Sequence, residues 1–204
     1  MTKDKTTIEK EISDEIRGIK HPGMLGGMVY AAFREDYYEK LSDLHEKKIA
    51  VEILLTFLKN ENFDPGFRTK VAWICDDIGI FEAEGEIQKL GKDKNIKESN
   101  YSTGIKAVLN HIELEKKIVK EIQQINSAIG KQSSNEIYNK AVALYRKLRG
   151  DISRMYGSKD VYEKSEEELS RIVVSDILKK IIRSEKYDDD LKAKVQVLLS
   201  DIKL

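Results

Sequence analysis

Residues 36–78 and 160–202 align without a gap at an offset of 124, and 12 of the 43 positions are identical. Roughly three or four identities are expected by chance in a chain so rich in Lys, Glu and Ile. Asp36, Tyr38, Glu39 and Lys40 recur as Asp160, Tyr162, Glu163 and Lys164. Ile53, Leu54, Glu61 and Asp64 recur as Ile177, Leu178, Glu185 and Asp188. Lys70, Val71, Asp77 and Ile78 recur as Lys194, Val195, Asp201 and Ile202. Mismatched positions keep their character: Phe63 with Tyr187, Phe67 with Leu191, Arg68 with Lys192, Leu58 with Ile182. Apolar residues at helical spacing, interrupted once by a short polar turn, describe a helical hairpin. The chain is therefore expected to contain one hairpin twice. The competing explanation is convergence, since amphipathic hairpins drawn from few residue types resemble one another.

Nothing else in the chain calls for a sheet. There are two prolines, Pro22 and Pro65, and the Gly/Pro-rich turns and β-branched alternation of strands are missing. The expected fold class is all-α: a helical bundle or short helical-repeat array with a duplicated hairpin (36–78 and 160–202). The polar stretch 91–103 is the best linker, which divides the chain into an N-terminal helical unit, 1–98, and a C-terminal one, 99–204. At 204 residues these are two small domains or one ordinary one.

Periodicity places the helices. Ile8, Ile12, Ile16 and Ile19 form one stripe, ended by His21-Pro22-Gly23. Helices follow over Met28–Leu41 and 43–59. Asp64 is suited to accept from the free amides of the next turn, and Pro65 to the first helical position. That helix is expected to stop at Gly79, and a short one, Glu82–Leu90, at Gly91. A long helix over 103–129 carries Ile105, Val108, Ile112, Val119, Ile122 and Ile129 along one side. Ser133/Glu136 and Ser165/Glu168 have capping-box spacing. The helices they open run to about Gly150 and Arg183, and Asp188–Lys203 is the last. The long stripe is more than two small hairpins are expected to cover, which points to self-association or a partner.

Asp64-Pro65-Gly66-Phe67-Arg68, followed by Val71-Ala72 and Ile78-Gly79, resembles the inter-helix turn and second helix of a HEAT-type repeat. The resemblance spans Asp43 to about Leu90. It implies that Asp64 and Pro65 open the second helix and that Arg68 packs across to a neighbouring repeat. The second hairpin departs from it, with Asp189 for the proline and Lys192 for the arginine. Two hairpins 124 residues apart are not a regular array, and the intervening helix fits a compact bundle equally well.

Few residues suggest chemistry. His21, His45 and His111 lie far apart and none sits in HExxH or ExxH spacing. His111 and Glu115, one helical turn apart, are a metal pair without a second half-site, so a core-edge histidine is the plainer account. Gly23-Met24-Leu25-Gly26-Gly27 precedes a helix but lacks the Lys-Ser/Thr of a phosphate loop, and reads better as a corner. Cys75, beside Ile74 and Trp73, reads as a small core residue rather than a nucleophile. Asp188-Asp189-Asp190 lacks Ca²⁺-loop spacing and suits a helix N-terminus. No catalytic, cofactor-binding or metal residue is assigned.

One cluster stands out. Lys140, Arg146, Lys147, Arg149, Arg154 and Lys159 face a single acid in their stretch, Asp151, with Tyr145 and Tyr156 interleaved. Forked guanidinium groups bind phosphate and aromatic rings stack on bases. The plainer reading is a basic face that pairs with acidic groups. Lys and Arg balance Asp and Glu, 36 against 36, with 16 basic and 20 acidic in residues 1–100 and the reverse in 101–204. The whole molecule has no polyanion signature. A lone cysteine excludes an internal disulfide, Met1–Lys10 lacks a secretory apolar core, and the run Ile49–Leu58 is too short to span a bilayer. A cytoplasmic, non-membrane protein is expected. Its expected role is a non-enzymatic helical interaction or scaffold protein that binds a protein partner or itself. The alternative is a nucleic-acid-associated helical protein, a small subunit of a nucleoprotein assembly, with 140–159 on phosphates. An enzyme built from scattered carboxylates ranks third.

Overall fold

Asp4 starts the first helix: its carboxylate accepts the Thr7 amide at 2.8 Å. Helix α1 then runs Lys5–Gly18, with Ile8, Ile12 and Ile16 fully buried as one stripe. The structure, a computed structural model, describes residues 3–19, 33–41, 43–97, 101–124, 131–153 and 166–201, and these are all-α. The chain packs as two units, Met1–Leu109 and Asn110–Leu204. The boundary expected at 98/99 lies outside the described residues.

In the first unit, α2 (Leu44–Lys59) and α3 (Pro65–Ile78) form the hairpin. Asp43 caps α2 through the Glu46 amide at 2.8 Å, and Asp64 caps α3 through the Phe67 amide at 3.0 Å. Pro65 sits in the first turn of α3, where its missing N–H costs nothing. Gly79 ends it with φ 86°, a left-handed conformation that carries a large penalty for any residue with a Cβ. Helix α1 lies against both arms. Phe63 stacks on Phe67 with centroids 4.5 Å apart, and Phe57 meets both rings edge-on, which closes the turn end with a small aromatic cluster.

After α3 the chain forms a 3₁₀ turn (Phe81–Ala83), α4 (Glu84–Leu90), a one-turn α5 (Lys94–Lys97) and the long α6 (Ser102–Gln123). The expected linker 91–103 is thus partly structured. Asp93 accepts the Asn95 amide at 2.9 Å, and Ile96 is fully buried; one apolar anchor and one cap suffice to order a polar stretch. Tyr101 lies so close to Gly66 that a Cβ there would come within 2.5 Å of the ring. Residues 33–36 are helical, and a 3₁₀ turn, Tyr38–Lys40, replaces the end of the helix expected over Met28–Leu41.

The second unit contains the C-terminal part of α6, then α7 (Lys131–Ser153), α8 (Glu166–Arg183) and α9 (Asp189–Asp201). Leu114, Ile118, Val119 and Ile122 of α6 join Ile137, Val142, Val174, Ile177, Leu178, Ile181, Leu191, Val195 and Leu198 in one core. The stripe on α6 is buried within the chain, Ile105, Val108 and Ile112 included. This corrects the expectation that it is left uncovered: in the second unit α7, α8 and α9, not a hairpin alone, supply the core that Leu114, Ile118, Val119 and Ile122 join. Ser133 does not cap α7, because that helix already runs from Lys131, and α7 continues through Gly150 to Ser153. Ser165, the other proposed cap, lies outside the described residues.

Hairpins α2–α3 and α8–α9 share several features at the offset of 124, although Gly66, Thr69, Ala72 and Trp73 are buried where Asp190, Ala193, Gln196 and Val197 are exposed. Helix ends Lys59 and Arg183 correspond, as do the caps Asp64 and Asp188, the latter accepting the Leu191 amide at 2.8 Å. Even a mismatched pair repeats its bond. Asn60 Oδ1 accepts the Asn62 amide at 3.0 Å, and Ser184 Oγ accepts the Lys186 amide at 3.2 Å. Val71/Val195, Ile53/Ile177 and Leu54/Leu178 are all buried.

Candidate functional site

The basic cluster is the site the sequence puts forward, and two of its six side chains can be placed. Lys140 stands exposed on α7, 3.1 Å from Glu136 Oε1 one turn back and 3.5 Å from Glu121 Oε2 of α6. The hydrogen bond to Glu136, then the charges of Glu136 and Glu121, hold its ammonium pKa above the ordinary lysine value. Arg146 is half-buried on the same helix. Lys147 and Arg149 belong to α7, but their side chains lie outside the described residues, as do Arg154 and Lys159 altogether. The described part of the cluster is therefore a lysine held by two carboxylates and an arginine turned partly inward.

The remaining candidates fall into structural positions. Cys75 is fully buried on α3, where desolvation first and the neighbouring Asp76 second push the thiol pKa strongly up. A thiol so placed stays protonated and shielded, the opposite of a nucleophile's setting. Asp188 is the cap of α9, and Asp190 pairs with Lys194 at 2.7 Å. His45 is exposed at the start of α2. His21 and the segment Gly23–Gly27 lie outside the described residues. Among the described residues, no group of three or more His, Cys, Asp or Glu converges on a point where a metal would sit. No described helix is long and apolar enough to cross a membrane.

His111 packs edge-on toward Tyr145, centroids 6.4 Å apart. Glu115 points elsewhere. It is 3% exposed, Lys180 Nζ of α8 lies 2.7 Å from its Oε2, and the Tyr187 hydroxyl, in the α8–α9 turn, donates to its Oε1. Sequence reading missed this buried carboxylate–ammonium–phenol cluster. One signal was present: Lys180 and Tyr187 replace Thr56 and Phe63 of the first hairpin, which adds an ammonium and a hydroxyl at two positions of the match.

A second cluster was missed in the first unit. Arg34 Nη1 donates to both oxygens of Asp77, at 2.7 and 2.9 Å, and Nη2 reaches Glu35 Oε1 at 2.7 Å. The duplicated aspartate has a different donor in the second hairpin, where Ser134 Oγ donates to Asp201 Oδ2 at 2.8 Å. In both hairpins this identity anchors a group from outside the hairpin. Arg68 donates from Nε to the Leu58 carbonyl at 3.2 Å and from Nη1 to Asp93 at 3.3 Å, so it ties the end of α2 to the turn before α5.

Comparison with models of known families, with curated proteins and with solved structures finds no match to this chain.

Proposed function

We propose that this protein is a non-enzymatic helical scaffold of the cytoplasm, which uses its hairpin surfaces to hold a protein partner or a second copy. One observation carries the reading. Several of the chemistry-bearing side chains singled out from sequence already have partners or places within the fold. Cys75 is sealed in the core, Glu115 is held by Lys180 and Tyr187, Asp188 caps a helix, and Lys140 is neutralised by Glu136 and Glu121. Among the described residues, the large apolar side chains that stand exposed are Leu44, Phe81 and Val197. HEAT-like character of the first hairpin is part of this proposal, supported by the Asp64 cap, Pro65 in the first turn and the reach of Arg68 to Asp93. The buried stripe of α6 lends self-association no support, so the outer surfaces must supply the contact.

Titration with single- and double-stranded nucleic acid at low and high salt separates this reading from its rival. Phosphate binding by residues 140–159 gives at least micromolar affinity that falls steeply with salt. Such binding, lost on Arg146→Glu with Arg149→Glu and Arg154→Glu, would overturn the scaffold reading. Its absence, together with a defined heteromeric or homomeric mass in light scattering, is the expected result.

A further inference from the structure

Arg68 gathers positive charge at the turn end of the first hairpin. Its Nε donates to the Leu58 carbonyl and its Nη1 to Asp93. Lys59, next to the first contact, and Lys92 and Lys94, on either side of the second, therefore stand around one guanidinium. Helix α1 ends at the same place: Arg17 lies over the Phe67 ring, 6.0 Å from its centroid, and Lys70 Nζ reaches the Ile16 carbonyl at 3.3 Å. Arg17, Lys59, Lys92 and Lys94 are exposed. Of the acids beside them, Asp64 caps α3, Asp93 holds Arg68 and Glu61 stands exposed, with Asp14 and Glu15 further back along α1. This end is basic, although residues 1–100 as a whole are acidic.

The open end of the same hairpin has the opposite sign. Arg34 bonds Asp77 near the end of α3, Glu35 and, at 3.3 Å, Glu39, so one guanidinium is shared among three carboxylates. Asp36, Asp43 and Glu82 add exposed carboxylates, against Lys40, Lys47 and Lys48. Two large exposed apolar residues stand there as well: Leu44, 63% exposed, opens α2, and Phe81, 45% exposed, follows α3. The 16 residues of α2 hold the two ends about 24 Å apart, so they cannot meet within one unit.

We propose that copies of this chain associate head to tail, the basic turn end of one first unit docking on the acidic open end of the next. This rests on the scaffold reading and narrows its partner to a second copy. Opposite charge steers the copies into one orientation and sets like ends against each other. Exposed ion pairs alone hold weakly, and Leu44 and Phe81, covered by the next copy, add apolar burial. Because unlike ends meet, each docked copy offers a fresh end and the contact repeats.

Sedimentation velocity on the full chain, across a wide concentration range at low and high salt, tests this. The mass should exceed one chain and climb with concentration at low salt, and fall back toward one chain at high salt. Arg17→Glu with Lys59→Glu and Lys92→Glu reverses the turn end, and Asp36→Lys with Glu82→Lys reverses the open end. Each variant should run as a single chain by itself, and the two mixed should associate again. Leu44→Ser with Phe81→Ser leaves every charge in place and should weaken association by roughly tenfold. Gln at the same charged positions serves where a reversal costs the fold. A parent that stays a single chain at low salt, or reversed variants that associate as the parent does, would overturn the proposal. Either result leaves the scaffold reading standing, since that reading falls instead on salt-sensitive nucleic-acid binding by residues 140–159.

Discussion

Val71 and Val195 have no exposed surface, and each sits at the centre of its hairpin's second helix. Truncation of either to Ala removes two methyl groups and leaves a small cavity, at a cost of about 1–3 kcal/mol. Equilibrium denaturation of the two variants should show comparable losses. Lys180→Met alone removes the cation from a buried carboxylate and should cost about 3–5 kcal/mol in chemical denaturation. Cys75 gives a pH signature. Burial raises its folded pKa, so above the ordinary thiol value near 8.5 the unfolded chain releases a proton that the folded chain keeps. Its contribution is complete below that value and declines as pH rises, by up to about 1.4 kcal/mol per pH unit. Denaturation midpoints taken between neutral and alkaline pH should fall more steeply for the parent than for Cys75→Ala.

The elements legible in the sequence are those set by local chemistry. The caps Asp43, Asp64 and Asp188 each bond the amide three residues on, and Gly79 stops α3 where its backbone turns left-handed. Asp64→Ala and Asp188→Ala should therefore each cost about 0.5–2 kcal/mol in thermal or chemical melts. Equal losses would show that the two turns carry the same design despite Pro65 in one and Asp189 in the other. What sequence did not reveal depends on tertiary packing. Ile96 converts a lysine-rich linker into an ordered turn because a core happens to receive it. Glu115 looked like the partner of His111 at helical spacing, yet a lysine and a tyrosine far along the chain hold it instead. Spacing reports which residues share a face; it does not report what packs on that face.

Across the whole chain, charge is the property that divides the two leading functions. Lys140 shows how a basic run in a balanced chain becomes structural: each carboxylate near it removes positive potential that a phosphate would otherwise meet. On the scaffold reading, Arg146→Glu with Arg149→Glu and Arg154→Glu should accordingly remove no salt-sensitive nucleic-acid affinity, since none is expected of the parent. The same triple change is expected to lower stability or break an assembly. Filter binding and light scattering on parent and variant, at two ionic strengths, read both outcomes.

The contact between Gly66 and Tyr101 reaches beyond this one molecule. A ring that occupies the space of a missing Cβ makes the two positions interdependent, although they lie on different elements. In any descendant or cousin of this chain, a side chain gained at position 66 should be matched by a shifted ring or a smaller residue at 101. The second hairpin, which carries Asp190 at the equivalent place, is under no such obligation. Paired change at 66 and 101 is thus an inheritance mark by which the first hairpin can be told from the second.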